Sequence, residues 1–80
     1  MDVTLPTTTN IIRNNAFYNC DRVYYININS LDAPTIVGDP FPLANMPRLK
    51  KIKIPINASG YDNAYWNNLE NQGILEYSIL

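Results

Sequence analysis

A short basic run holds most of the positive charge in this chain and is the first candidate for chemistry. Residues 46–54 read MPRLKKIKI, and four of the chain's six cations lie within it: Arg48, Lys50, Lys51 and Lys53. Three aromatic side chains follow soon after: Tyr61, Tyr65 and Trp66. Cationic grooves lined with aromatic rings bind single-stranded nucleic acid through phosphate contacts and base stacking. These residues therefore form a candidate partner-binding set.

The alternation of side chains within this run favours a different role for its lysines. The segment RLKKIKIPIN, residues 48–57, places three isoleucines on one face of a strand: Ile52, Ile54 and Ile56. Lys51 and Lys53 then fall on the solvent face, and Pro55 lacks the N–H that an interior strand would need. Lysines beside a proline protect an exposed sheet edge from pairing. We therefore expect an edge strand rather than a binding patch, and the net charge of −1 also argues against a nucleic-acid binder.

Catalytic and metal chemistry find no support in the sequence. The chain has no histidine and three glycines, and it has none of the motifs that mark hydrolases, metalloproteases or phosphate-binding loops. Cys20 is the only cysteine, so it has neither a general base to activate it nor a second thiol for a disulfide or a zinc site. We expect no enzyme activity, no cofactor and no metal, and a packing role for the Cys20 thiol.

Other segments show the alternation or composition of strands. In the clearest of these, residues 22–30, three apolar side chains share one face: Tyr24, Ile26 and Ile28. Residues 74–80, ILEYSIL, alternate in the same way. Weaker strands are expected in residues 11–18, interrupted by a turn at Asn14 and Asn15, and in residues 35–37.

The segment SGYDNAYWNNLENQGI carries the signals of one short helix. Asp62 can cap its first turn, and Tyr61 and Trp66 then occupy the positions of a hydrophobic staple. Gly73 suits the left-handed position that follows the last turn. The helix is expected to span about residues 62–72, and a longer hairpin loop is the alternative.

Proline-rich loops between the strands favour antiparallel pairing over crossovers between parallel strands. No internal repeat of a recognised period is evident. The predicted fold class is mainly β, a small antiparallel sheet or sandwich of three to five strands, with one short helix near residues 62–72. Residues 11–80 are expected to form a single small domain. Residues 1–10 are expected to be an extended N-terminal arm without a partner in this core, and its Val3 and Leu5 are candidates for contact with a neighbouring subunit.

The small size of the chain predicts that it depends on a partner for stability. A domain of 80 residues buries only about 60–65% of the surface that its unfolded chain exposes. Without a disulfide or a metal, assembly is the remaining support. Charged residues make up 16% of the chain, against about 25% in ordinary soluble domains. Twelve asparagines supply uncharged polar surface instead, which suits contacts that are buried and hydrogen-bonded.

Two functions of different classes follow from these features. The favoured one is a non-enzymatic structural protein, a small multi-copy subunit that adheres to a larger assembly, such as a virus or phage capsid decoration or cement protein. Its partners would be a major capsid protein or copies of itself, and its location the virion. The alternative is a small regulatory module, cytoplasmic and not secreted, that docks to a protein or to single-stranded nucleic acid through residues 48–53. Neither a signal peptide nor a membrane-spanning segment is expected.

Overall fold

Two parallel sheets organise the chain. The computed structural model describes residues 1–80. The strands are β1 (Asp2–Leu5), β2 (Ile11–Ile12), β3 (Tyr25–Ile28), β4 (Thr35–Ile36), β5 (Lys51–Pro55) and β6 (Leu75–Ile79). The helix α1 spans Ala64–Asn71, and a short 3-10 helix spans Leu43–Asn45. The main sheet has the strand order β1-β3-β5-β6, and a side sheet pairs β2 with β4, with every pair parallel.

The predicted antiparallel arrangement is therefore wrong. Hairpin turns of a few residues join neighbouring antiparallel strands, whereas a parallel pair needs a connection of a dozen residues or more. The connections between neighbouring strands of the main sheet are 6–24, 29–50 and 56–74. Each is long enough to bring the chain back to the end of the sheet at which the previous strand began. The proline-rich segment 29–50 thus returns the chain between parallel strands instead of forming a hairpin loop, and we call all three connections return segments.

The parallel register divides the chain into coils of similar length. Val3 pairs with Ile26, Ile26 with Ile52, and Ile52 with Leu75. The side sheet has a similar spacing, because Ile12 pairs with Ile36. The molecule is a short solenoid. Each coil consists of one strand of the main sheet and the return segment that follows it, about 25 residues in all, and stacks on its neighbours. No repeat is evident in the sequence because few of the aligned positions are identical, as Ile26 and Ile52 are, and the interval between them varies from coil to coil.

Apolar residues from the strands and the return segments fill the interior of the coils. The inward-facing isoleucines of β3 and β5 are fully buried: Ile26, Ile28, Ile52 and Ile54. The return segments contribute an aromatic ladder with one ring from each coil. The ring centroids of Phe17 and Phe41 are 5.2 Å apart, and those of Phe41 and Trp66 are 6.1 Å apart. These distances lie within the range of favourable aromatic pairs, so the ladder joins all three coils.

The N-terminal segment belongs to the main sheet and is not a free arm. Residues 2–5 form β1 and pair with β3 over four residues. Val3 and Leu5 are half-buried and pack against the core. The expectation of an arm without a partner in its own core is thus not met, because the apolar alternation of Val3 and Leu5 matches that of Ile26 and Ile28 in the neighbouring strand.

Gly73 follows the helix as predicted, but the N-cap lies one residue later than predicted, and α1 spans Ala64–Asn71 instead of about residues 62–72. Asn63, not Asp62, is the N-cap, since its side-chain oxygen accepts hydrogen bonds from the backbone N–H groups of Tyr65 and Trp66. At the other end Gly73 has φ 76°, and its N–H donates to the Glu70 carbonyl at 2.9 Å. This geometry is the left-handed helix end expected of a glycine.

The turns of the first two coils interlock at Gly38. The predicted turn at Asn14 and Asn15 is confirmed, with Asn15 at φ 62°. The Asn14 side-chain oxygen accepts a hydrogen bond from the Asp39 N–H at 3.1 Å. Gly38 has φ +73°, and a Cβ built on it would lie 2.7 Å from the Asn14 Cβ. Glycine is therefore required here both by backbone conformation and by contact with the neighbouring coil.

We expect Gly38→Ala to lower the free energy of unfolding by about 2–4 kcal/mol, because it combines left-handed strain with a steric clash. Gly73→Ala is the matched control. It has a similar positive φ, +76°, but its Cβ would meet nothing within 4 Å, so only the left-handed strain remains and we expect a loss of about 1 kcal/mol. Urea denaturation measures both values. Equal losses in the two variants would show that the Asn14 contact has no effect on stability.

We expect Phe41→Ala to lower the free energy of unfolding by about 3–5 kcal/mol, because Phe41 is 1% exposed and forms the middle ring of the ladder. Tyr18→Ala is the control, since Tyr18 is 54% exposed, and its effect should be about 0.5 kcal/mol or less. Urea denaturation again provides the measurement. A small loss for Phe41→Ala would mean that the ladder does not hold the coils together.

Candidate binding surface

One face of the main sheet points away from the core and carries a mixed set of polar side chains. Strand alternation directs these residues outward, to the side opposite the buried Ile26, Ile52 and Leu75 of the same strands. The exposed Asp2 and Thr4 of β1 lie beside Tyr25 and Asn27 on this side of the sheet. We define the open face as the following half-buried residues of β3, β5 and β6: Tyr25, Asn27, Lys51, Lys53 and Glu76. It presents an aromatic ring, an amide, two cations and a carboxylate on adjacent strands.

The parallel register arranges the open face in rows that cross the strands. Tyr25 is beside Lys51, and Asn27, Lys53 and Glu76 follow one another across three strands. The Lys53 Nζ lies 4.5 Å from the centroid of the Tyr25 ring. An ammonium group at this distance is attracted to the negative face of the ring. The Lys53 side chain is thus held over its neighbour in β3.

The second lysine of the open face is also anchored within the molecule. The Lys51 Nζ donates a hydrogen bond to the Gly73 carbonyl at 2.7 Å, just beyond the end of α1. The C-terminal carbonyls of a helix carry partial negative charge and interact favourably with lysine. Both lysines therefore have defined positions on the open face, and each retains N–H groups that can bind a partner.

The structure does not bring the basic run together as one patch. Arg48 and Lys50 precede β5 and are exposed, whereas Lys51 and Lys53 lie on the open face. Arg48 lines a surface depression of about 430 Å³ together with four other residues: Met1, Asp21, Arg22 and Tyr24. Of the four predicted basic residues, only Lys51 and Lys53 lie on the open face.

The predicted edge position of the basic strand is wrong. β5 lies between β3 and β6, so both of its edges are paired. The missing N–H of Pro55 is accommodated by a register shift between Ile54 and Pro55, where the partner strand carries one extra residue. Beyond this irregularity Ile56 is 54% exposed, so the predicted apolar face ends at Ile54.

Two of the three aromatic candidates are part of the core. Tyr61 and Trp66 are 2% and 0% exposed, and their ring centroids lie 4.9 Å apart in an edge-to-face arrangement. Neither ring is accessible for stacking with a partner. Tyr65 is half-buried, and its hydroxyl donates to Asp39 Oδ1 at 2.8 Å. Burial and this hydrogen bond raise the pKa of Tyr65. All three aromatics therefore stabilise the fold.

Three residues of the open face were not among the sequence-predicted candidates: Tyr25, Asn27 and Glu76. Each lies one coil away from the lysines in the sequence, so only the stacking of the coils places them side by side. The length of one coil is visible in the sequence once the aromatic ladder is known, because Phe17, Phe41 and Trp66 recur at this interval.

Other sites offer less chemistry than the open face. No group of three or more histidine, cysteine, aspartate or glutamate side chains is placed to hold a metal ion. The Cys20 thiol is half-buried, and its Sγ lies 3.9 Å from the Tyr18 carbonyl oxygen. The helix α1 has eight residues, and no helix has the length and apolar character that crossing a membrane requires.

We expect the free energy of unfolding to decrease as the pH rises from 10 to 12. Burial raises the pKa of Tyr61 to about 12 from its ordinary value of 10.0, so in this range the unfolded phenol loses its proton while the folded one retains it. The stabilisation is complete below pH 10 and is lost through pH 12. A shift of this size corresponds to roughly 2–3 kcal/mol.

Tyr61→Phe tests this assignment. The variant loses the hydrogen bond from the Tyr61 hydroxyl to the Ser30 carbonyl, 2.9 Å in length, and should be less stable by about 1 kcal/mol at pH 8. Its stability should then fall less steeply than that of the wild type between pH 10 and 12. Urea denaturation across this range gives both profiles, and parallel profiles would contradict the prediction.

Comparison with known proteins provides no family assignment for this chain. Neither protein-family models, nor curated proteins, nor solved structures give a match. The geometry of the coils and of the open face is therefore the basis for assigning a function.

Proposed function

We propose that this chain is a non-enzymatic structural protein that binds a protein partner through the open face of its main sheet. The observation that carries the proposal is the row of Asn27, Lys53 and Glu76 across three parallel strands, with Tyr25 and Lys51 beside it. Solenoid proteins commonly use the extended surface formed by their stacked repeats for binding. The length of the coils is similar to that of leucine-rich repeats, in which parallel strands line one face of the molecule.

The chemistry of the open face suits a protein partner with acidic groups. Lys51 and Lys53 are its two cations, and each is held in position by an intramolecular contact. Side chains that are already ordered lose less conformational entropy when a partner binds. Tyr25 adds a rigid aromatic surface, and tyrosine is enriched at protein interfaces. Glu76 would pair with a cation of the partner and thereby fix its orientation.

The alternative of nucleic-acid binding through residues 48–53 has less support. It requires cations and exposed aromatic rings on one surface, but Tyr61 and Trp66 are buried, and Arg48 and Lys50 lie off the open face. The protein also has a net charge of −1. The more specific expectation of a capsid decoration or cement protein stays a prediction, as one instance of a subunit that adheres to a larger assembly.

Charge reversal on the open face tests the proposal. We expect Lys51→Glu with Lys53→Glu to weaken partner binding at least tenfold, which corresponds to about 1.4 kcal/mol. The matched control is Arg48→Glu with Lys50→Glu, because it changes the net charge equally but lies outside the open face. Each tagged variant is sedimented together with the large particles of a lysate of the source cells, and the fraction of the variant that sediments with them measures its binding. Circular dichroism confirms that each variant is folded.

Equal retention of both double variants would show that the open face is not the binding surface. Binding of the wild type to a thymidine oligonucleotide gives a second readout. We expect none at physiological salt. Tight binding that weakens steeply with added salt, and that is lost in the Lys51→Glu, Lys53→Glu variant, would favour the nucleic-acid alternative.

A further inference from the structure

We infer that a second copy of this chain pairs its β1 with β6 of the first copy, in parallel, so that the main sheet continues from one molecule into the next. The strand order β1-β3-β5-β6 leaves one edge of β1 and one edge of β6 unpaired. Unpaired strand edges present backbone donors and acceptors to other chains. This interface uses the two ends of the sheet and does not depend on the proposed role of the open face.

The backbone of β1 directs Thr4 toward the unpaired edge. The Leu5 carbonyl accepts a hydrogen bond from the Asn29 N–H at 3.0 Å, and the Met1 carbonyl accepts one from the Tyr24 N–H at 2.9 Å. Residues 1 and 5 therefore face β3. Since consecutive residues of a strand direct their backbone groups to opposite edges, the N–H and C=O of Thr4 face outward.

The backbone of β6 offers the complementary groups. The Ile74 carbonyl accepts a hydrogen bond from the Ile52 N–H at 2.8 Å, so this residue faces β5. By the same alternation, Leu75 and Tyr77 direct their N–H and C=O groups toward the free edge. In a parallel pair, one residue bonds to the two residues that flank its register partner. Thr4 of the second copy can thus bond to Leu75 and Tyr77, which makes Glu76 its register partner.

The side chains select the same register independently. With Thr4 beside Glu76, Val3 of the second copy lies beside Leu75 and extends the row formed by Val3, Ile26, Ile52 and Leu75. Leu5 of the second copy likewise lies beside Tyr77, which is 39% exposed at the end of the sheet. A slip by one residue would turn these apolar side chains to the wrong face of the sheet. Backbone and side chains therefore agree on one register.

Charges and strand length are compatible with this register. Asp2 of the second copy would lie beside Ile74, and Glu76 beside Thr4, so no two like charges are register partners. The irregularity opposite Pro55 ends regular pairing after Tyr77, which leaves three residues of β6 available. Three register pairs also join β3 to β5 within the molecule. The second copy would therefore form a strand pair as long as one already present.

The contact joins two different surfaces, so it is heterologous and each added copy leaves a new free edge. We expect the wild type to associate in solution without stopping at a dimer. Analytical ultracentrifugation from micromolar to millimolar concentration should show an average mass that rises to several times the 9.1 kDa of one chain. A wild type that stays monomeric throughout this range would overturn the inference.

Two variants block the two ends separately. Thr4→Pro removes the outward N–H of β1 while leaving the β3 side intact, since proline is tolerated where its missing N–H faces solvent. Tyr77→Lys places a charge in the apolar row at the β6 end, where the side chain is partly exposed and folding should not be affected. We expect each variant alone to be monomeric, with circular dichroism like that of the wild type.

Mixing the two variants gives the decisive result. Thr4→Pro keeps a functional β6 edge and Tyr77→Lys keeps a functional β1 edge, so their mixture should form a complex of twice the chain mass that grows no further. The matched control Thr4→Val keeps the backbone N–H and should associate like the wild type. Dimers of Thr4→Pro alone would indicate β6-to-β6 pairing and overturn the inference, as would a monomeric Thr4→Val or a mixture that stays monomeric.

Discussion

Parallel pairing between strands of successive coils is the constraint on which the rest of this structure depends. It aligns Val3, Ile26, Ile52 and Leu75 in one continuous apolar row although they are far apart in the sequence. Pairing in parallel is possible only because each return segment brings the chain back to the end of the sheet at which the strands begin. The aromatic ladder of Phe17, Phe41 and Trp66 shows that the return segments are stacked with similar spacing. Strands and return segments thus stabilise the same arrangement.

The register that builds the core also builds the surface. Side chains alternate along a strand, so the pairing that buries Ile26 against Ile52 necessarily places Tyr25 beside Lys51 and Asn27 beside Lys53 on the opposite face. The contacts of the two lysines with Tyr25 and Gly73 then fix their positions. The open face is therefore built on the sheet itself, and its residues come from three separate parts of the chain.

A solenoid of this length has ends that are large relative to its interior. Every coil between two others buries both of its faces, whereas the first and last coils each leave one face uncovered. In this chain the ends are the free edges of β1 and β6, and large apolar side chains near them are partly or fully exposed, including Tyr77 and Leu80. The small size of the chain predicts dependence on a neighbour, and the two ends of the sheet are where apolar surface remains open for such a contact. The middle coil is well covered.

The sequence by itself determined the local structure. Alternation identified the strands that became β3, β5 and β6, and Gly73 marked the end of α1, because these signals depend only on neighbouring residues. Helix capping was misassigned by one residue, since Asp62 and Asn63 are both suitable caps and only the packed turn selects between them. Strand direction, the interior position of β5, the burial of Tyr61 and Trp66, and the membership of the open face were decided by tertiary structure. Each of these depends on which coil stacks on which, and that stacking is set by apolar contacts between residues one coil apart. Too few of these residues are identical, and their intervals are too uneven, to mark a repeat in the sequence.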